Sequence, residues 1–200
     1  LTITVTAAPS LDTVASSATI VLNAGETASA TADDVVTYAK GTTAEVAVST
    51  RAAAATLSVK LLNAAGSATT AESFTATVSG PGILGSAANS GSTISGPTPT
   101  GRAITVKNGD VVQLFNDGSS GVSTVTISSA AGKVLGTKSV TFYGDIASIV
   151  TTVVKPVIGV RTDAGVLTAK AYDAAGVLVS SGTLYATSAD TTIISNSYSS

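Results

Sequence analysis

A repeated stretch constrains the fold of this chain more than any other feature. Residues 56–80 read TLSVKLLNAAGSATTAESFTATVSG, and residues 166–190 read VLTAKAYDAAGVLVSSGTLYATSAD without a gap. The offset is 110 residues, and seven of the 25 aligned positions are identical. Self-similarity at a fixed offset indicates repeated structural units, and this offset is close to the size of a typical domain. We therefore expect two copies of one module.

Each copy has the pattern of two strands joined by a short turn. Apolar residues alternate along both flanks, which is typical of half-buried strands. The turn contains NAAG at residues 63–66 and DAAG at residues 173–176, where glycine supplies the positive φ that ends such loops. The residues predicted to face inward are Leu57, Val59, Leu61, Phe74, Ala76 and Val78 in the first copy, and Leu167, Ala169, Ala171, Leu184 and Ala186 in the second.

Turn signals recur along most of the remaining chain. Asn108-Gly109 lies between AITVK and DVVQLF and predicts a hairpin with a type I′ turn. Further turns are predicted at residues 116–118, 130–132 and 163–165. Short strands separated by turns at such intervals favour a β-sandwich or barrel, so the fold class is predicted to be all-β.

One long segment departs from this pattern. Residues 81–101, PGILGSAANSGSTISGPTPTG, are rich in glycine and proline and predict a long loop. Because loops of this length in compact domains are commonly functional or disordered, this segment is the candidate region for contact with a partner. The residues proposed for that contact are Pro81, Gly82, Ile83, Leu84, Ile94, Pro97 and Pro99.

The repeat also suggests domain boundaries. Residues 1–33 are interpreted as an N-terminal segment of strands, residues 34–143 as one β-sandwich module, and residues 144–200 as a second module. Because fewer than 110 residues follow position 143, we expect the second module to be incomplete within this sequence.

Composition argues against several classes of function. The 200 residues include no Cys and no His, which removes the thiolate nucleophile, the usual general base and the most common metal ligand. We therefore expect no enzymatic activity. With 10 basic against 12 acidic residues there is no positive field to attract nucleic acid, so no nucleic-acid partner is expected. The longest apolar runs are also too short for a membrane-spanning helix.

Calcium is the most plausible ion, because hard cations take carboxylate, amide and backbone oxygens. The candidate ligands lie near the proposed module boundaries and in one turn, without forming a dense ligand loop. They are Asp33, Asp34, Asp145, Asn116 and Asp117. The competing interpretation of Asp33-Asp34 is a solvated turn or a helix cap.

Glycan is a further candidate partner. No Asn-x-Ser/Thr sequon occurs, which excludes N-glycosylation by that rule. The hydroxyl-rich stretch from Ser92 to Thr100 is a candidate for O-linked glycan.

The strand–(Asn/Asp)-Ala-Ala-Gly–strand unit at Leu57–Val78 and Leu167–Ala186 resembles the middle of bacterial Ig-like repeats. SVTFYGD at residues 139–145, followed at once by a new module, is similar to the last strand of such a repeat. The resemblance implies tandem immunoglobulin-like β-sandwiches, as found in bacterial surface-layer proteins, adhesin stalks and some phage structural proteins.

This resemblance suggests three roles. The first is a structural extracellular protein of the cell surface that self-associates through its modules into a layer or filament. The second is an adhesin or carbohydrate-binding stalk, although the loop at 81–101 lacks the aromatic residues on which sugars usually stack. The third is a decoration or tail domain of a phage virion, which is physically close to the first.

Overall fold

The protein is all-β in the residues that the structure describes. The computed structural model describes residues 15–28, 31–41, 52–69, 72–89, 100–159 and 165–189. These residues form eleven strands and no helix, which confirms the predicted fold class at this level. The strands are β1 (Ser17–Ala24), β2 (Thr37–Ala39), β3 (Ala55–Leu62), β4 (Phe74–Ser79), β5 (Ile83–Ala88), β6 (Ala103–Val106), β7 (Asp110–Phe115), β8 (Gly121–Ser129), β9 (Val134–Tyr143), β10 (Ser148–Val153) and β11 (Leu167–Tyr172).

The chain divides into two compact units. Unit 1 comprises Leu1–Phe142 and unit 2 comprises Tyr143–Ser200. Unit 1 contains two sheets, with strand orders β1-β3-β7-β5 and β2-β9-β8-β4-β6. Unit 2 contains a two-stranded antiparallel sheet formed by β10 and β11.

The two sheets of unit 1 share one hydrophobic core. Alternating residues of each strand face the opposite sheet, as the period of two in a β-strand requires. The first sheet contributes Leu57 and Leu114, and the second contributes Phe74, Ile127 and Phe142. All six inward residues predicted for the first repeat copy are buried, which confirms that part of the pattern. Unit 1 is thus a two-layer β structure.

The second copy of the repeat reproduces the first strand and the loop of the first copy, whereas residues 184–189, which correspond to β4, form no strand. In both loops the first N–H donates to the carbonyl of the fifth residue at 2.9 Å, from Asn63 to Ser67 and from Asp173 to Val177. The glycine at the fourth position has φ of 76° in one copy and 79° in the other. The predicted turns at residues 63–66 and 173–176 are therefore confirmed.

The first strand of each unit pairs with the repeat in the same register. Leu22 of β1 pairs with Leu57 of β3, and Val153 of β10 pairs with Leu167 of β11. Leu57 and Leu167 are equivalent at the 110-residue offset. The repeated structure therefore includes the preceding strand, whose sequence similarity is too weak to reveal it.

The predicted hairpin at Asn108-Gly109 is wrong. The turn exists, with Asp110 N donating to the carbonyl of Lys107 at 3.0 Å. However, β6 pairs with β4 in one sheet, whereas β7 pairs with β3 and β5 in the other. Among the two turn residues only Gly109 has a positive φ, so the turn is not type I′ and lacks the twist that matches a hairpin. It carries the chain from one layer to the other.

The loop predicted for residues 81–101 is also wrong over part of its length. Ile83–Ala88 form β5, which pairs with β7 at the edge of the first sheet. Thr100 N donates to the carbonyl of Leu84, and Leu84 N donates to the carbonyl of Gly101, both at 2.7 Å. β5 is therefore the last strand of the first sheet, and its outer side is bonded at Leu84 by residues 100–101.

Candidate functional site

The predicted calcium ligands Asp33 and Asp34 are engaged with β1. Asp33 Oδ1 accepts a hydrogen bond from Leu22 N, and Asp34 Oδ2 accepts one from Ala24 N, both at 2.9 Å. The other oxygen of Asp33 forms an ion pair with Lys138 at 2.5 Å. The hydrogen bond from Lys138, followed by that from Leu22 N, lowers the pKa of Asp33 below its ordinary value. These two carboxylates therefore tie the segment after β1 back onto that strand.

The second predicted group, Asn116 and Asp117, lies at the end of β7. Asn116 Nδ2 donates to the carbonyl of Ala39 at 3.2 Å. Asp117 Oδ2 accepts a hydrogen bond from Gly82 N at 2.7 Å, and its other oxygen accepts one from Ser119 N at 2.9 Å. This carboxylate connects the turn after β4 to the turn after β7.

The remaining predicted ligand, Asp145, is exposed and belongs to unit 2. Within the described part of the chain, no three acidic residues approach closely enough to hold a metal ion together. Binding of calcium stays a prediction at Asp145, while at Asp33, Asp34 and Asp117 an ion would have to compete with backbone N–H donors.

The described ranges also contain no helix of the length and apolarity needed to cross a membrane.

The segment proposed for partner contact begins in a tightly bonded turn between β4 and β5. The Arg102 guanidinium donates to the carbonyls of Val78 at 3.2 Å, Gly80 at 2.6 Å and Gly82 at 3.0 Å. The hydroxyl of Ser123 donates to the carbonyl of Pro81. Because Arg102 presents several donors in one rigid fork, it can hold three carbonyls of one turn.

Two glycines let this turn pack closely against its neighbours. Gly80 has φ of 81°, and a Cβ there would lie 2.1 Å from the carbonyl oxygen of Val122. Gly82 has φ of 106°, and a Cβ there would lie 2.8 Å from the Leu114 side chain. The turn thus depends on glycine for both backbone conformation and space.

The predicted contact residues are not equally available to a partner. Leu84 is fully buried in the core, so its side chain cannot contact a partner in this conformation. Pro81 and Ile83 are partly exposed. Ile94, Pro97 and Pro99 lie outside the described residues.

The strongest candidate for a contact surface is instead the apolar face of unit 2, which includes Leu167, a residue that the sequence predicted to face inward. Leu57 of unit 1 has 0% of its surface exposed, whereas its repeat equivalent Leu167 has 47%. Leu22 is 3% exposed, whereas Val153, which occupies the same position against β11, is 66% exposed. We name the group Ile149, Val153 and Leu167 the open face of unit 2.

Burial of the predicted inward residues of the second copy depends on whether a second layer packs on them. Of the inward residues predicted there, Ala171 is buried, Leu184 is half-buried, and Leu167, Ala169 and Ala186 are exposed. A shallow cleft of about 320 Å³ lies beside them, with Ile146 and Leu178 in its lining. In unit 1 the equivalent inward face is covered by a second sheet, whereas the described residues of unit 2 contain only β10 and β11.

Sequence comparison assigns the chain to no group. No protein-family model matches it, and no curated protein has a significantly similar sequence.

Proposed function

We propose that this chain forms part of a structural extracellular protein built from tandem Ig-like β-sandwich modules, which self-assembles into a layer or filament at the cell surface. One observation carries the proposal. The same strand and loop occur twice at a fixed offset, with the same closing hydrogen bonds and the same register toward the preceding strand. Tandem copies of one module are a way to build extended proteins whose units contact their neighbours.

The chemistry of the described residues supports a structural role. Asp33, Asp117 and Arg102 each bind backbone groups of neighbouring segments, so these charged side chains hold the fold together. The surface elsewhere is dominated by small hydroxyl and methyl side chains, since 59 of the 200 residues are Ser or Thr and only 22 are charged. Such surfaces can pack against one another without desolvating many charges.

Electron microscopy of the purified chain over a range of concentrations tests this proposal. We expect ordered sheets or filaments, together with larger species in light scattering as concentration rises. The same preparations with and without a chelator test the calcium prediction, because assemblies that need calcium would dissolve. Monodisperse monomers at all concentrations, both with and without added calcium, would contradict the self-assembly proposal.

A further inference from the structure

The edge of β11 that faces away from β10 is bonded at one end, where Val179 N donates to the carbonyl of Ala171 at 2.9 Å, and is unpaired at Leu167 within the described residues. The carbonyls of Val166 and Tyr172 accept hydrogen bonds at 2.8 Å from residues that flank β10. The even-numbered residues of this stretch therefore direct their backbone N–H and C=O groups toward β10. Because pairing alternates along an antiparallel strand, Leu167 and Ala169 direct their N–H and C=O groups to the opposite edge. In the described part of unit 2 no strand pairs with that edge, apart from the isolated bridge of Tyr172 with Leu178.

Unit 1 shows what the equivalent edge binds. There, β3 pairs with β1 on one side and with β7 on the other. The β7 pairing is antiparallel and joins Ala55 to Leu114 and Leu57 to Val112. The side chains of Val112 and Leu114 both enter the core. Leu167 is the repeat equivalent of Leu57, so the edge and the apolar face beside it correspond to a site that is occupied in unit 1.

The open face of unit 2 also limits the chemistry of an occupant. Its residues Ile149, Val153 and Leu167 are apolar and about half exposed or more. An occupant therefore needs apolar, uncharged side chains at alternate positions, because a charge placed against this face would lose its hydration without gaining a partner. β7 has this pattern, with Val112 and Leu114 on one face and uncharged Gln113 between them.

We propose that the β11 edge and the open face of unit 2 bind an extended segment of a partner polypeptide that carries the β7 pattern. The segment adds antiparallel to β11, with its main chain bonded to Leu167 as that of β7 is bonded to Leu57, and with its alternate apolar side chains on the open face. This is β-strand addition, in which main-chain bonds give affinity and alternate side chains give specificity. The proposal rests on the tandem-module role proposed above, because it takes unit 1 as the template for unit 2.

A peptide with the sequence of residues 108–117, NGDVVQLFND, is the probe. Titration of the fluorescently labelled peptide with the full chain is expected to show saturable binding by anisotropy. A second peptide with Val112→Ser and Leu114→Ser is expected to bind at least about tenfold more weakly, because it loses both apolar anchors. Hydrogen exchange of the Leu167 amide is expected to slow when the first peptide is bound.

Two variants of the chain serve as a matched pair. Leu167→Ser is expected to weaken binding of the unmodified peptide at least about tenfold. Val150→Ser alters an equally exposed residue on the opposite face of the same sheet and is expected to leave binding unchanged within about twofold. Circular dichroism establishes whether both variants are folded. If Leu167→Ser is unfolded, the comparison of the two peptides on the unmodified chain still tests the proposal.

Three results would overturn the proposal. They are equal binding of the two peptides, no change in exchange at the Leu167 amide, or protection of this amide that rises with protein concentration and that the peptide does not displace. The last result would assign the edge to a second copy of the chain. If the peptide binds but microscopy shows monomers, the self-assembly function fails while the docking site stands. If assemblies form and no peptide binds, the docking site fails and the proposed function does not.

Discussion

Asn63 and Asp173 make the same pair of hydrogen bonds at positions 110 residues apart. Oδ1 of Asn63 accepts from the N–H groups two and four residues later, at 3.0 and 2.9 Å. Oδ1 of Asp173 accepts from the equivalent groups at 2.9 and 2.8 Å. An amide and a carboxylate are interchangeable in this role because both present an oxygen acceptor. Asp173 uses its second oxygen to accept from Gly144 N at 2.7 Å.

This equivalence predicts that Asn63→Asp is tolerated whereas Asn63→Ala is not. The alanine variant loses both acceptor contacts and is expected to lower the free energy of unfolding by about 1–2 kcal/mol. The aspartate variant retains them and is expected to change it by less than about 0.5 kcal/mol. Urea denaturation followed by circular dichroism measures both, and equal losses would contradict this account of the loop.

Leu57 and Leu167 allow the same substitution to be compared in two environments. Leu57→Ala removes a fully buried side chain from the core of unit 1 and is expected to cost about 2–5 kcal/mol. Leu167→Ala removes one that is about half exposed, so the loss is expected to stay below about 1 kcal/mol. Chemical denaturation of the two variants against the unmodified chain gives the comparison. A loss at Leu167 as large as that at Leu57 would mean that the open face is covered in solution.

Gly80 and Gly66 have nearly equal φ angles, 81° and 76°, but different surroundings. Gly66→Ala introduces a Cβ into open space and is expected to cost about 1–2 kcal/mol, from the left-handed conformation alone. Gly80→Ala is expected to lose the same free energy to the left-handed backbone conformation, and it also forces a Cβ against the carbonyl oxygen of Val122. A shift of the backbone at such a site adds about 1–3 kcal/mol. Equal thermal stability of the two variants would show that the turn after β4 relaxes freely.

The ion pair of Asp33 and Lys138 predicts a pH-dependent contribution to stability. Because Lys138 lowers the pKa of Asp33 below 3.8 in the folded chain, the contribution is present above the pKa of the unfolded chain. It is lost as pH falls through the folded pKa. Since the Asp33 side chain is about half exposed, the effect is expected to be below about 1 kcal/mol.

Lys138→Gln measures this contribution. The variant is expected to be less stable than the unmodified chain at pH 7, and the difference should shrink as pH falls below 3.8 and Asp33 of the unmodified chain takes up a proton. Lys133→Gln is the control, because Lys133 Nζ donates to the Ser16 carbonyl and pairs with no acid in the described structure. Its effect is expected not to vary over the same pH range. A difference for Lys138→Gln that does not shrink as pH falls below 3.8 would point to packing of the Lys138 methylene chain.

Local patterns in the sequence predicted the all-β class, the repeated loop and the inward face of the first copy, because these depend on residues close together in the chain. β5 was missed because its pairing with β7 depends on residues about 30 positions away. Asn108-Gly109 indicates a turn, but residue types do not reveal which sheet receives the next strand.

The candidate site was harder to predict for a related reason. Acidic residues at turns have the composition expected of a cation site, yet Asp33, Asp34 and Asp117 bind backbone groups whose positions the sequence does not give. The repeat could have revealed only part of the open face, because it contains Leu167 but not Ile149 or Val153. Alternation predicts which side chains point inward, whereas their burial depends on a second layer that must also be present.

The first two strands of the repeated structure are joined by connectors of very different length. Leu57 follows its pairing partner Leu22 by 35 residues, whereas Leu167 follows Val153 by 14. The register is nevertheless the same in both units. A module that accommodates 21 additional residues at this position without slipping its strands offers a natural point for grafting foreign sequence. A peptide epitope or enzyme tag inserted between β10 and β11 should therefore be displayed without disturbing the sheet that carries it.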